Sequence, residues 1–430
     1  MPHSTTQPAT GWSAPARRPR ARLAAPLYLS SVLITFVAAS SAPTPLYQVY
    51  EAEWGLTSAT LTVVYSVYCI SVLASLLVTG SLSDHLGRRP VICGALVLEA
   101  VSMVVFLQAE GAGALILARV LQGLATGAAT SALGAALLDV APQRGTVVIS
   151  LAPLLGMSAG TLGASLTLHL LPSVRGTAYA LLLAALLVQL TGLLALPESG
   201  RRKSGAVASL RPRPRVPALA RTTLWRVSPL FVAIWSLGGF YLSLGPALTG
   251  LAMGPGSAAR DGLIVCVLTV CAVAAVAFTR TMAAEHVIVL GASLLSTGVA
   301  LTLAAAAGRS GPLFLAGTAL AGLGFGPAFQ AGLRLVTSRV APHQRGGLMA
   351  SVYVVTYLAM SVPVLAAGVL VERYGLLDGA LCLAAFVVVL ALLPLTTRHT
   401  RVAPVRGDTG ANPQTLGEPV HREATADLAR

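Results

Sequence analysis

The residues able to do chemistry are few, and the densest group sits in one short turn, Gly80-Ser81-Leu82-Ser83-Asp84-His85-Leu86-Gly87-Arg88-Arg89-Pro90, between two long apolar runs. An acid and two guanidinium groups at that spacing make and break charge-assisted hydrogen bonds, a chemistry of latching rather than of bond cleavage. Gly80 suggests close helix packing and Gly87 a sharp backbone turn. Two further ionisable groups, Glu99 and Arg119, lie inside apolar runs. A charge in hydrocarbon costs about 3 kcal/mol even on insertion scales, so each is expected to face protein or water. Glu99 is then either protonated or paired.

Enzymatic chemistry finds little support. A membrane-embedded enzyme needs paired acids, a metal cluster, or a nucleophile beside a base, and the sequence offers no such constellation. Cys69, Cys93, Cys266, Cys271 and Cys382 all fall in apolar runs without metal-site spacing to a histidine, and read as small buried side chains. Lys203, the lone lysine, lacks the glycines of a phosphate-binding loop. Gly156-Met157-Ser158-Ala159-Gly160 spells the hydrolase elbow, but that elbow requires a strand-to-helix turn in a soluble sheet. Neither a metal nor a cofactor is expected.

The elements that position these residues follow from composition. Of the 430 residues, 55% are hydrophobic and 10% charged, and the mean hydropathy is +0.78. A single soluble core could not hide so much apolar surface. Runs of about 20 apolar residues, each long enough to span a bilayer, fall at 25–44, 58–80, 90–109, 112–138, 147–171, 177–197, 228–248, 261–279, 285–306, 312–336, 346–371 and 376–396. The fold class is therefore an all-α membrane protein with twelve transmembrane helices. The net charge of +14 is not a nucleic-acid footprint, because 24 of the 29 Lys and Arg gather on one side. Arg175, Arg260, Arg309 and Arg373 fall on the other, and Arg119 within a helix. The positive-inside rule then places both termini in the cytoplasm of a multi-pass protein of the plasma or inner membrane.

The chain divides in two. Residues 198–227 form a basic linker between bundles at 24–197 and 228–396, with polar tails at 1–23 and 397–430. The stretch Val140-Ala141-Pro142-Gln143-Arg144-Gly145 returns as Val340-Ala341-Pro342-His343-Gln344-Arg345-Gly346, and Leu121-Gln122-Gly123-Leu124 as Leu320-Ala321-Gly322-Leu323. Matches at equivalent helices of both halves favour duplication, hence two pseudo-symmetric six-helix bundles around a central cavity.

With that architecture, the turn resembles the loop between helices two and three of the major facilitator superfamily (MFS), Gly-x-Leu-small-Asp-x-x-Gly-Arg-Arg/Lys. Its fixed positions are met by Gly80, Leu82, Asp84, Gly87, Arg88 and Arg89. The resemblance implies a gating role: Asp84 against the start of helix eleven near Gly346 and Gly347, where free N–H groups attract an anion, and Arg88 against Asp139. Alternatively these charges set topology and cap helices. Arg119-x-x-Gln122-Gly123-x-x-x-Gly127 resembles a second superfamily pattern and makes Arg119, with Glu99, a candidate for proton coupling; a backbone-carbonyl anchor is the other reading of Arg119. Gly156, Gly160 and Gly163 resemble the glycine signature of the superfamily's antiporters, with Thr161 in place of its proline and Ala164 of its last glycine. Glycines so spaced otherwise form a helix-packing face.

Helices one, four, seven and ten are expected to line the cavity. Its candidate residues are Gln122, Trp235, Tyr241, Phe325, Phe329 and Gln330, with Tyr65, Tyr68, Tyr353 and Tyr357 from flanking helices. Such a lining suits a neutral or weakly cationic amphiphile. Gly322, Gly324, Gly326 and Pro327 mark helix ten as a flexible point. The resulting expectation is a monomeric secondary transporter that exports a drug or metabolite in exchange for protons. Helix one lacks the acid many superfamily drug antiporters carry, which keeps an uptake permease or facilitator open. A non-transporting sensor on the same scaffold is the alternative of another class.

Overall fold

The structure, a computed structural model, describes residues 19–171, 176–196, 216–254, 258–341 and 344–396, with five isolated positions between 198 and 210. Residues 1–18 of the expected N-terminal tail, the tail from 397 and most of the linker lie outside the described residues, while residues 19–23, expected in the tail, already belong to the first helix. Twelve long helices carry the fold: α1 (Pro19–Ser41), α2 (Ser58–Thr79), α3 (Arg88–Leu107), α4 (Ala112–Val140), α5 (Pro142–Leu170), α6 (Thr177–Leu194), α7 (Ala218–Ser243), α8 (Ala258–Thr279), α9 (Ala284–Ala307), α10 (Gly311–Thr337), α11 (Arg345–Tyr374) and α12 (Leu376–Thr396). No strand occurs among the described residues. Helices satisfy their backbone groups internally, which apolar surroundings demand. Eleven spans are long and apolar enough to cross a membrane, the first of them running on past Ser41 to Trp54; α7 completes a twelfth only with the short helix Gly245–Met253, after a 70° bend.

The first helix of each half is broken in the same way. Past Ser41 the chain passes through Pro43 and a 3₁₀ turn, Thr44–Leu46, into a short helix, Tyr47–Trp54. Past Ser243 it bends at Gly245-Pro246. Proline cannot supply the N–H that would continue either helix. The seventh span also starts ten residues earlier than the apolar run, so Arg221 and Arg226 lie on α7 rather than on the linker.

Packing repeats between the halves. α4 lies against α2, α3 and α1 as α10 lies against α8, α9 and α7, and α6 against α3 as α12 against α9. The halves meet along α2 with α11 and α5 with α8. The duplication legible in the sequence is thus a duplication of contacts. In α10 the glycines serve packing: Gly322 and Gly326 press on α8 at Leu268 and Ala272, Gly324 on α9 at Gly291 and Leu295, and α10 continues through Pro327 as one helix.

The two ends of this seam differ. At the end that carries residues 80–90, the turn end, a cavity of about 670 Å³ separates the halves, lined by Gly80, Asp84 and Ser131 on one side and Gly346, Gly347 and Tyr353 on the other. At the far end the halves touch. Thr44 Oγ1 donates to Leu242 O at 2.8 Å, a Cβ on Gly262 would overlap Ser165, and one on Gly368 would overlap Thr62.

Candidate functional site

The turn folds as a one-turn helix, Leu82–Leu86, between α2 and α3, and Gly87 takes φ +103°, a left-handed conformation suited to glycine. Arg88 collects the charges. Its Nη1 donates to Ser83 Oγ at 2.8 Å and to Asp84, and its Nε lies 3.2 Å from Asp139 Oδ2 at the end of α4. Both acids are more than a third exposed, so each pair contributes at most about 1 kcal/mol.

Asp84 does not reach α11 here: it faces Gly346 and Gly347 across the cavity, and a Cβ on Gly346 would meet open space. The reason is the separation of the halves at this end. Gly80 makes no close approach to another helix either; a Cβ there would crowd Leu76 O, 2.5 Å away in the preceding turn. Arg89 turns from the seam and donates to Leu194 O at the end of α6, at 2.9 Å.

One participant escaped the sequence reading. Glu198, expected as the first residue of the linker, accepts the backbone N–H groups of Arg88 at 2.8 Å and Arg89 at 3.0 Å, capping α3 with both oxygens. A carboxylate at a helix N-terminus satisfies orphan donors and the helix dipole together. A side chain at Gly87 would block it, since a Cβ there lies 2.7 Å from Glu198 Oε2. His85 Nδ1 adds a contact to Ser204 O at 2.9 Å.

The second site lies inside the N-terminal half, where Arg119, Gln122 and Glu99 are fully buried. Arg119 donates to Ser40 O at 2.7 Å, to Gln122 Oε1 at 2.7 Å and to Tyr47 OH at 2.5 Å. Arginine only donates, which fixes the Gln122 amide with its oxygen toward Arg119. Its Nε2 then reaches Ala39 O at 3.0 Å and Glu99 Oε1 at 3.3 Å. Gln122, expected to line the cavity, is instead fully buried and bridges cation to acid, the two candidates for proton coupling. The guanidinium also lies 5.8, 5.2 and 5.8 Å from the ring centres of Tyr47, Tyr68 and Phe106. Glu99 Oε2 and Arg119 Nε have no partner. Such a network can hold a proton on Glu99 while anchoring the last turn of α1.

The aromatic candidates split. Trp235 stands edge-on to Phe325 and Phe329, at 5.8 and 5.2 Å, and Tyr353 and Tyr357 follow each other on α11 with ring centres 6.3 Å apart. Tyr65 and Tyr68 of α2 pack into the same core as these residues, so they face the seam. Gln330 is half-buried on α10. Tyr241 does not line the cavity: its hydroxyl pairs with Thr318 Oγ1 at 3.1 Å, and it packs among Val299, Thr302 and Val387 within the C-terminal half. One face of α7 serves the seam and the other its own bundle, which an aromatic count does not separate.

Of the α5 glycines, Gly156 and Gly160 lie against α1, where a Cβ would crowd Val37 at 2.5 Å and overlap Ala38 O respectively. Gly163 meets nothing within 4 Å. Gly163 lies on the exposed side of α5, while the same turn meets α8 on another side, where Gly262 sits against Thr161 O and Ser165.

A family model for the Major Facilitator Superfamily matches residues 27–285. Quinolone resistance protein NorA of Staphylococcus aureus (strain MRSA252) is 29% identical over 100 residues, 23% of this chain and 26% of that protein. The chain thus spans about a quarter of the length of the curated relatives it matches. Among solved structures, the human organic anion transporter MFSD10 (TETRAN) superposes with a TM-score of 0.64 at 19% identity, over 88% of this chain and 100% of that one. A bacterial homologue of the human lysosomal transporter Spinster, inward-facing and unoccupied, gives 0.68 at 12%, over 88% and 97%. The nucleoside transporter NupG gives 0.65 at 15%, over 86% and 98%. At these identities the likeness is one of fold.

Proposed function

The chain belongs to the Major Facilitator Superfamily of membrane transporters, and we propose that it exports a small organic molecule by alternating access, in exchange for protons. The observation that carries the reading is the asymmetry of the seam, sealed at the far end and parted by a 670 Å³ cavity at the turn end. With the turn end cytoplasmic, as the charge bias favours, this is the inward-facing arrangement. Rocking the halves closes Asp84 onto the start of α11, with Arg88 and Asp139 bracing it, and opens the far end. Glu99, bridged to Arg119 through Gln122, is the proton site of this reading. The protein acts as a monomer in the plasma or inner membrane with both termini cytoplasmic.

Flux of a candidate substrate in proteoliposomes, with and without a pH gradient, tests it for the wild type and Asp84→Asn. Accumulation driven by the gradient supports exchange, whereas equilibration indifferent to it supports the facilitator, which the missing acid in α1 favours. An Asp84→Asn protein that transports at the wild-type rate removes the latch.

A further inference from the structure

Among the described residues, two aromatic side chains at the seam carry a buried polar hydrogen without an acceptor. Trp235 Nε1 and Tyr65 OH are buried and without a hydrogen-bond partner, and the Cys69 thiol one turn from Tyr65 is a poor acceptor. Orphaned buried donors carry a desolvation penalty, so their retention calls for an explanation. Their depth is fixed by a shared neighbour. Ser66 of α2 donates to Ser361 O of α11 at 3.3 Å, and Ser236 of α7 donates to Ala359 O of α11 at 3.1 Å. Tyr65 and Trp235 each precede one of these serines, so the two orphans come from opposite halves at one level.

That level lies six to eight residues along α11 beyond Tyr353, where the turn-end cavity stops. At 1.5 Å per residue this is about 10 Å deeper, with Tyr357 between. Phe325 and Phe329 stand edge-on to Trp235 and leave aromatic edges around it. Across α2, Arg119 lies 5.2 Å from the Tyr68 ring and places a positive charge on that side.

We infer that Trp235 and Tyr65 form the head of a ligand site that takes a flat, uncharged aromatic molecule by a hydrogen-bond acceptor such as a ketone oxygen. The inference rests on the transporter reading for its purpose, but its test does not depend on transport. The ligand enters from the turn-end cavity, displaces Tyr353 and Tyr357, and gives the Trp235 N–H and Tyr65 O–H their acceptor. Cationic analogues are disfavoured by Arg119, which narrows the class expected from the aromatic lining alone.

Equilibrium binding to the purified full chain, by scintillation proximity with radiolabelled probes, is the test. Fluorenone is the acceptor-bearing probe, fluorene its match without the oxygen, and N-methylacridinium the cation. Fluorenone is expected to bind about 10-fold more tightly than fluorene. Trp235→Phe and Tyr65→Phe should each weaken fluorenone severalfold and leave fluorene unchanged, with Tyr65→Phe melting no lower than the wild type because it removes an orphan hydroxyl. Equal affinity for fluorenone and fluorene overturns the inference, as does no binding of fluorenone, tighter binding of the cation, or variants that weaken both neutral probes alike. If binding behaves as expected while proteoliposomes carry no substrate, the transport reading falls and the site stands; flux without acceptor-dependent binding gives the reverse.

Discussion

Glu198 accepts the backbone N–H of Arg88 at 2.8 Å, so the segment that follows the sixth helix caps the start of the third. Two parts of the chain more than a hundred residues apart thereby share one turn. Glu198→Ala is expected to destabilise the protein by about 1 kcal/mol, the usual worth of a helix cap, and Glu198→Gln by less because one acceptor remains. Gly87→Ala should cost more, about 1–3 kcal/mol, through its positive φ and its clash with Glu198. Thermal unfolding of the three variants in detergent checks the order.

The Gln122 bridge predicts an asymmetry between its two ends. Gln122→Leu strands a buried cation and a buried acid, and should cost about 3 kcal/mol or more, seen as a large fall in melting temperature. Glu99→Gln keeps the shape and removes only the titratable group. Its melting temperature should stay within a few degrees of the wild type while gradient-driven flux is lost; retained coupling would remove Glu99 from the proton site.

At Gly160 the carbonyl of Ala38 leaves no room for a Cβ, whereas Gly163 is open. Gly160→Val should push α1 off α5, at about 1–3 kcal/mol, while Gly163→Ala is tolerated within about 0.5 kcal/mol. Expression and melting temperature distinguish the pair.

Thr44→Val deletes the hydrogen bond to Leu242 O with little change of shape. It weakens the far-end seal and shifts the population toward closure at the turn end. Spin labels at exposed Val140 and Ser338, in a background with native cysteines replaced, should move closer together than in the unsubstituted protein; unchanged distances would free Thr44 from any part in gating.

Much of this was legible in the sequence because it is written locally. A span needs a run of apolar residues, and the turn needs Gly87 beside its charges; the pairing of Arg88 with Asp139 was legible through the family resemblance of that turn. What was missed depends on which faces meet. Glu198 looks like any acid at the start of a polar linker until α6 delivers it to α3. Glu99 and Gln122 lie on different helices, and only the rotation of α3 against α4 brings them to 3.3 Å. Tyr241 and Trp235, six residues apart on α7, point to different interiors for the same reason. The cross-seam pairing proposed for Asp84 requires the turn end to be shut, whereas here Asp84 faces Gly346 and Gly347 across the cavity.

The far-end seal is built from Thr44, Thr62, Ser165, Gly262 and Gly368, residues so small that each contact reaches only a hydroxyl, a glycine or a backbone carbonyl. Surfaces of that kind fit without interlocking teeth. They can part and rejoin without any long side chain finding its slot again. A transporter gains from this a closure that is quick to undo.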